Sequence, residues 1–185
     1  MKIKWKFEVG NPKDLYGVKS SAKVSNGSVY FGSGYDNHLY ALDVNTGKEK
    51  WKFKTGGQWG VGELTISSSI LYFGGCENYL YALDINTGKE KWKFKTGDSI
   101  WSSPSISDGI VYFGCDDKHL YALDAKTGEE QWSFKTEREV QSSPKVSDGI
   151  VYFGSSNIFY ALDAKTGEEQ WSFETGSYTD EEWLD

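Results

Sequence analysis

The chain has 185 residues, enough for one domain with a sizeable core, and its 27 acidic and 20 basic side chains leave a formal net charge of −7. That balance lacks the basic footprint a phosphate backbone requires, so nucleic acid is not an expected partner. No window has the length and apolarity of a membrane span, and the opening MKIKWKFEVG has no signal-type apolar core; the expectation is no membrane partner and a cytoplasmic location if Met1 is the native start.

Aromatic side chains make up 16% of the sequence, against one Met and three Pro, a balance that suits β-structure packed through aromatic and β-branched residues. Residues 3–8, IKWKFE, match the KWKFKT and QWSFKT stretches that close each later unit, so they are read as a lone outer strand. Four units follow, over 18–54, 61–95, 101–135 and 141–174. The stretch YALDAKTGEEQWSF at 121–134 returns unchanged at 160–173, and Trp5, Trp51, Trp92, Trp132 and Trp171 recur on a beat of about 40 residues, the period of a propeller blade. Each unit reads as four strands; in the third they span 102–107, 110–115, 119–124 and 130–135. Asn26 and Gly27, Asp108 and Gly109, and Asp148 and Gly149 stand between extended runs, where a type I′ turn needs two residues that tolerate positive φ. Ser68 and Ser69 take that place in the second unit, which leaves its turn unassigned. The middle strands, such as IVYFG and LYAL, are apolar on both faces and must be covered on both, whereas the outer strand alternates Lys50, Trp51, Lys52, Phe53, Lys54 and guards its edge with charge. The prediction is an all-β chain, a β-propeller of four-stranded antiparallel blades with four blades and one extra outer strand, occupying residues 1–176. Residues 177–185 form an acidic tail outside the repeat, read as a solvated segment or a docking peptide.

The pattern A-x-D-x-x-T-G-x-x-x-W, at 41–51, 82–92, 122–132 and 161–171, closely resembles the tryptophan-docking motif of PQQ-like β-propeller repeats, known from quinoprotein dehydrogenases and bacterial outer-membrane assembly lipoproteins. The resemblance implies that each tryptophan packs on the motif alanine and docks one blade on the next, through the pairs Ala41 and Trp51, Ala82 and Trp92, Ala122 and Trp132, and Ala161 and Trp171. It also suggests a quinone-dependent dehydrogenase, but such enzymes carry an adjacent cysteine pair, a calcium site and a catalytic aspartate on a longer propeller with insertions. Here Cys76 and Cys115 are far apart and no insertion interrupts the repeats, so the reading is noncatalytic, with no cofactor and no metal. The aspartates Asp43, Asp84, Asp124 and Asp163 recur in every unit and are read as turn formers.

Any specialised site is expected where the units differ, on the loops joining second to third strands and those leading into each inner strand. Candidates for a ligand or partner are Lys19, Tyr35, His38, Trp59, Glu63, Trp101, His119, Arg138 and Gln141. His38 and His119 occupy equivalent hairpins and read as solvated imidazoles or ligands. Trp59 and Trp101 either plug the channel or form a recognition surface.

Four blades leave two apolar sheet faces uncovered. One expectation is a homodimer closing an eight-bladed ring, the others an excerpt of a larger propeller or four blades closing alone. The functional expectation is a protein-interaction or scaffold module that self-associates, with a small-ligand sensor or vestigial quinoprotein, holding a cofactor or sugar at the channel mouth, as the alternative.

Overall fold

The computed structural model describes residues 3–9, 18, 20–56 and 61–176. These residues form four four-stranded antiparallel sheets in which strand order follows chain order. Blade one comprises β1 (Lys23–Ser25), β2 (Ser28–Ser33), β3 (His38–Asp43) and β4 (Glu49–Lys54); blade two comprises β5 (Val61–Ser67), β6 (Ile70–Gly75), β7 (Tyr79–Asp84) and β8 (Glu90–Lys95). Blade three is β9 (Ser105–Ser107), β10 (Ile110–Cys115), β11 (His119–Asp124) and β12 (Glu130–Lys135), and blade four is β13 (Lys145–Ser147), β14 (Ile150–Ser155), β15 (Ile158–Asp163) and β16 (Glu169–Glu174). The acidic tail, 177–185, lies outside the described residues.

The hairpins between first and second strands follow from their turn residues. Asn26 and Gly27 lie at φ 48° and 67°, Asp108 and Gly109 at 49° and 78°, and Asp148 and Gly149 at 52° and 76°. Both central residues of a type I′ turn need this left-handed region. Blade two makes the same turn without glycine, with Ser68 and Ser69 at φ 49° and 63°. The connection between third and fourth strands is built on the repeated aspartate. Asp43 Oδ1 accepts from the Asn45 and Thr46 amides at 3.0 and 2.9 Å, and Asp84, Asp124 and Asp163 do the same in their own blades.

Two sequence-based boundaries need correction. The inner strand of blade three was expected over 102–107, but regular pairing starts at Ser105. Pro104 has no N–H to give the ladder, and upstream of it the Ser102 hydroxyl takes over, accepting from the Gly114 amide at 2.8 Å and donating to the Gly114 carbonyl at 2.9 Å. Ser142 and Gly154 repeat this at 2.8 and 2.8 Å. Blade two has Gly62 at that position, and its inner strand runs for seven residues with a register shift between Val61 and Leu64.

The second correction concerns residues 3–8, expected as an outer strand. They join no sheet, because an outer strand needs a third strand beside it and the described residues supply none there. Their side chains nevertheless pack like those of an outer strand. Phe7 sits 6.2 Å from the Phe31 ring and 5.4 Å from Tyr40, matching Phe53 at 6.2 Å from Phe73 and 5.6 Å from Tyr81.

The core lies between sheets. Tyr30, Leu39 and Ala41 of blade one meet Leu64, Leu71, Phe73, Leu83 and Ile85 of blade two, and equivalent clusters join blades two to three and three to four. Among the described residues these are the apolar clusters, and none joins blade four back to blade one. Each central strand is apolar on both faces because each sheet is one slice of a stack.

Candidate functional site

Blade contacts repeat a single arrangement. The Trp51 indole donates to the Ile85 carbonyl at 3.1 Å, Trp92 to Ala125 at 3.2 Å and Trp132 to Ala164 at 3.1 Å. A buried tyrosine hydroxyl reaches each of the same carbonyls: Tyr30 at 3.3 Å, Tyr72 at 2.9 Å and Tyr112 at 2.9 Å. Burial, with Asp124 near Tyr72 and Asp108 near Tyr112, pushes both phenols up to about 12, so they remain protonated donors.

Ala41 and Trp51, Ala82 and Trp92, Ala122 and Trp132, and Ala161 and Trp171 are cross-strand partners within their own sheets. Beyond their own sheets, the indoles of Trp51, Trp92 and Trp132 each lie against the glycine of the following blade's third turn. A Cβ on Gly88 would come within 2.6 Å of Trp51, one on Gly128 within 2.6 Å of Trp92, and one on Gly167 within 2.7 Å of Trp132. The positive φ of these glycines, 69–77°, does serve the turn, but the missing side chain also makes room for the neighbour's indole.

Blade four has the same outward face and no blade against it among the described residues. Trp171 is 48% exposed, Phe173 62% and Phe159 42%. Tyr152 stacks on Phe159 at 6.4 Å and lies 6.1 Å from Trp171, and Phe173 is the cross-strand partner of Phe159, so the four aromatic residues share one face.

At the opposite, variable-loop side, Asp116 joins two of the expected residues. Trp101 Nε1 donates to Asp116 Oδ2 at 2.9 Å, and Gln141 Nε2 donates to Asp116 Oδ1 at 3.0 Å. Gln141 also lines, with Arg138, Glu139, Ser142, Gly154 and Ser156, a hollow of about 500 Å³. Trp101 remains 47% exposed. Asp116 is not among the residues singled out from the sequence; the signal available was a doubled acid, Asp116 and Asp117, in the third of the four variable loops.

The remaining candidates are not brought to this point. Glu63 accepts from the Ser21 hydroxyl at 3.0 Å, and Tyr35 is exposed on the loop between β2 and β3. His38 donates from Nδ1 to the Asp36 carbonyl at 2.7 Å, and His119 to the Asp117 carbonyl at 2.9 Å, each within its own hairpin. The adjoining tyrosines donate to the hairpin carboxylates, Tyr40 to Asp36 and Tyr121 to Asp117, so these loops hold themselves together. Lys19 and Trp59 lie outside the described residues.

Residues 35–182 match the family model of outer membrane protein assembly factor BamB. The chain belongs to this PQQ-like repeat family. BamB from Moraxella catarrhalis is similar in structure at 24% identity and a TM-score of 0.75, over 91% of this chain and 52% of that one. A europium-containing methanol dehydrogenase aligns at 17% identity and a TM-score of 0.79, over 94% of this chain and 44% of that one. The computationally designed Ika8 protein aligns at 21% identity and a TM-score of 0.66, over 85% and 46%. These likenesses establish the propeller fold, and the chain spans about half the length of the structures it matches. Among curated proteins there is no significant match.

Membership in the family raises the question of a quinone site, and the residues present do not fit one of the dehydrogenase kind. Cys115 is buried in blade three, where its thiol donates to the Asp98 carbonyl at 3.2 Å and burial pushes it up to about 12, while Cys76 lies in blade two. Among the described residues no three His, Cys, Asp or Glu side chains are grouped to hold a metal ion.

Proposed function

We propose that this member of the family is a noncatalytic interaction module, and that two copies join head to tail so that their eight blades close one ring. The observation that carries the proposal is the aromatic patch of Tyr152, Phe159, Trp171 and Phe173 on blade four. Every equivalent face in the chain is buried against a following blade. An exposed patch of this chemistry favours association, and a twofold ring uses it twice without leaving an open end. Light scattering after size exclusion tests it against the monomer mass of 20.8 kDa. A doubled mass that returns to the monomer value on Trp171→Ala and Phe173→Ala supports the ring; a monomer at all concentrations sinks it.

A second reading is favoured by one observation, the exposed Trp101 held by Asp116 beside the hollow containing Arg138 and Gln141. An aromatic platform next to fixed polar groups suits a small polar ligand such as a sugar. On that reading a sugar panel quenches tryptophan fluorescence saturably, and Asp116→Ala weakens the response at least about tenfold. A panel without saturable quenching discards it.

A further inference from the structure

We infer that blade one carries a groove for an extended Trp-x-Phe segment, that residues 3–8 occupy it within the chain, and that β16 of a second copy competes for the same place. The inference deepens the self-association proposal and rests on it. The groove is formed by the Val44 carbonyl, the bare face of Gly47 and the rings of Phe31 and Tyr40. Trp5 Nε1 donates to Val44 at 3.0 Å, and a Cβ on Gly47 would meet the Trp5 ring at 2.7 Å. Phe7 lies against Phe31 and Tyr40. The same cradle recurs on blades two, three and four, filled by Trp51 and Phe53, Trp92 and Phe94, and Trp132 and Phe134. The chain thus displays the specificity of this cradle four times.

Trp171 and Phe173 have the same spacing and no cradle among the described residues. Residues 4–8 read KWKFE and 170–174 read QWSFE, so tryptophan, phenylalanine and the following glutamate coincide. Only one indole fits over Gly47, so the two segments exclude each other. The internal occupant is the less completely bound of the two. Residues 3–9 make no strand ladder, and besides the indole bond they have an exposed contact from Lys4 Nζ to Asn45 Oδ1 at 3.1 Å. The Val44 carbonyl receives one donor among the described residues, whereas Ile85, Ala125 and Ala164 each receive an indole and a tyrosine hydroxyl. Blade four of a second copy brings Trp171 already ordered in a strand and Tyr152 in the position of that missing hydroxyl. Residues 3–8 therefore act as a built-in competitor that sets how readily two copies associate.

The test is a dilution series by light scattering on the full chain and on the double variant Trp5→Ala, Phe7→Ala, alongside binding of a labelled peptide, EQWSFET, copied from 169–175. Emptying the groove is expected to tighten self-association about tenfold or more, the factor set by a competitor that holds the site most of the time, and adding Trp171→Ala is expected to abolish it. The peptide should likewise bind the double variant at least about tenfold more tightly than the unaltered chain. Dimerisation that is unchanged or weakened by the double variant overturns the inference and leaves the self-association proposal standing. If no variant dimerises, the self-association proposal fails, and the peptide alone decides the groove: equal or absent binding to the two chains overturns it. Should the double variant not fold, the unlabelled peptide IKWKFEV competing with EQWSFET on the unaltered chain supports a shared groove, and failure to compete overturns it.

Discussion

Two kinds of glycine meet in this chain, and they separate backbone demand from packing demand. Gly109 lies at φ 78° with nothing within 4 Å of where a Cβ would stand, so Gly109→Ala suffers only the left-handed backbone, about 1–2 kcal/mol. Gly88 has φ 69° and also faces the Trp51 ring, which a Cβ would approach to 2.6 Å. Overpacking adds about 1–3 kcal/mol, so Gly88→Ala is expected to lower stability by about 2–5 kcal/mol, clearly more than Gly109→Ala. Urea midpoints of the two variants decide this; equal losses would mean that the indole gives way freely.

At the scale of the outer strand, tryptophans at equivalent repeat positions have different surroundings. Trp92 is packed against blade three and donates to Ala125 at 3.2 Å, whereas Trp171 is 48% exposed at the end of the stack. Trp92→Ala should cost about 3–5 kcal/mol, through lost burial and the opened cavity. Trp171→Ala in dilute monomer should cost about 1 kcal/mol or less, because surface changes remote from packing act weakly. Chemical denaturation at low protein concentration measures both, and comparable losses would show that blade four is covered in solution even in the monomer. The alternating burial of β4, β8 and β12 disappears in β16, all of whose residues are exposed, although the spacing of its apolar side chains is the same.

For the molecule as a whole, the repeat multiplies one electrostatic device by four. Amide donors from Thr46, Thr127 and Thr166 hold Asp43, Asp124 and Asp163 below the ordinary value of 3.8, and for Asp84 the Thr87 hydroxyl leads. A carboxylate depressed in the folded state binds protons more readily when unfolded. Its stabilisation is complete above 3.8 and is lost as pH falls through the lower folded value. The urea midpoint contributed by these turns should therefore hold steady from neutral pH down to about pH 5 and decline below about pH 4. Replacing all four aspartates with Asn should flatten that decline. A wild-type midpoint that rises with acidification would contradict the assignment.

Period, strand order and turn chemistry were legible from the sequence because each depends on neighbours within one hairpin. Asn26 and Gly27 specify a turn wherever they stand between extended runs, and a continuous apolar strand such as IVYFG requires cover on both faces whatever provides it. Even there a side chain could intrude, as when the Ser102 hydroxyl and Pro104 shortened β9. What stacking alone decided involves residues that meet only when two blades do. That Gly88 accommodates Trp51, that Asp116 gathers Trp101 and Gln141, and that Trp5 settles over Gly47 without a strand ladder all arise from surfaces brought together across sheets. The same holds for Trp132 and Trp171, which stand in identical fourteen-residue stretches, one packed against blade four and the other open to solvent. A local pattern can require that a face be covered; only the tertiary arrangement supplies the partner, or leaves it wanting.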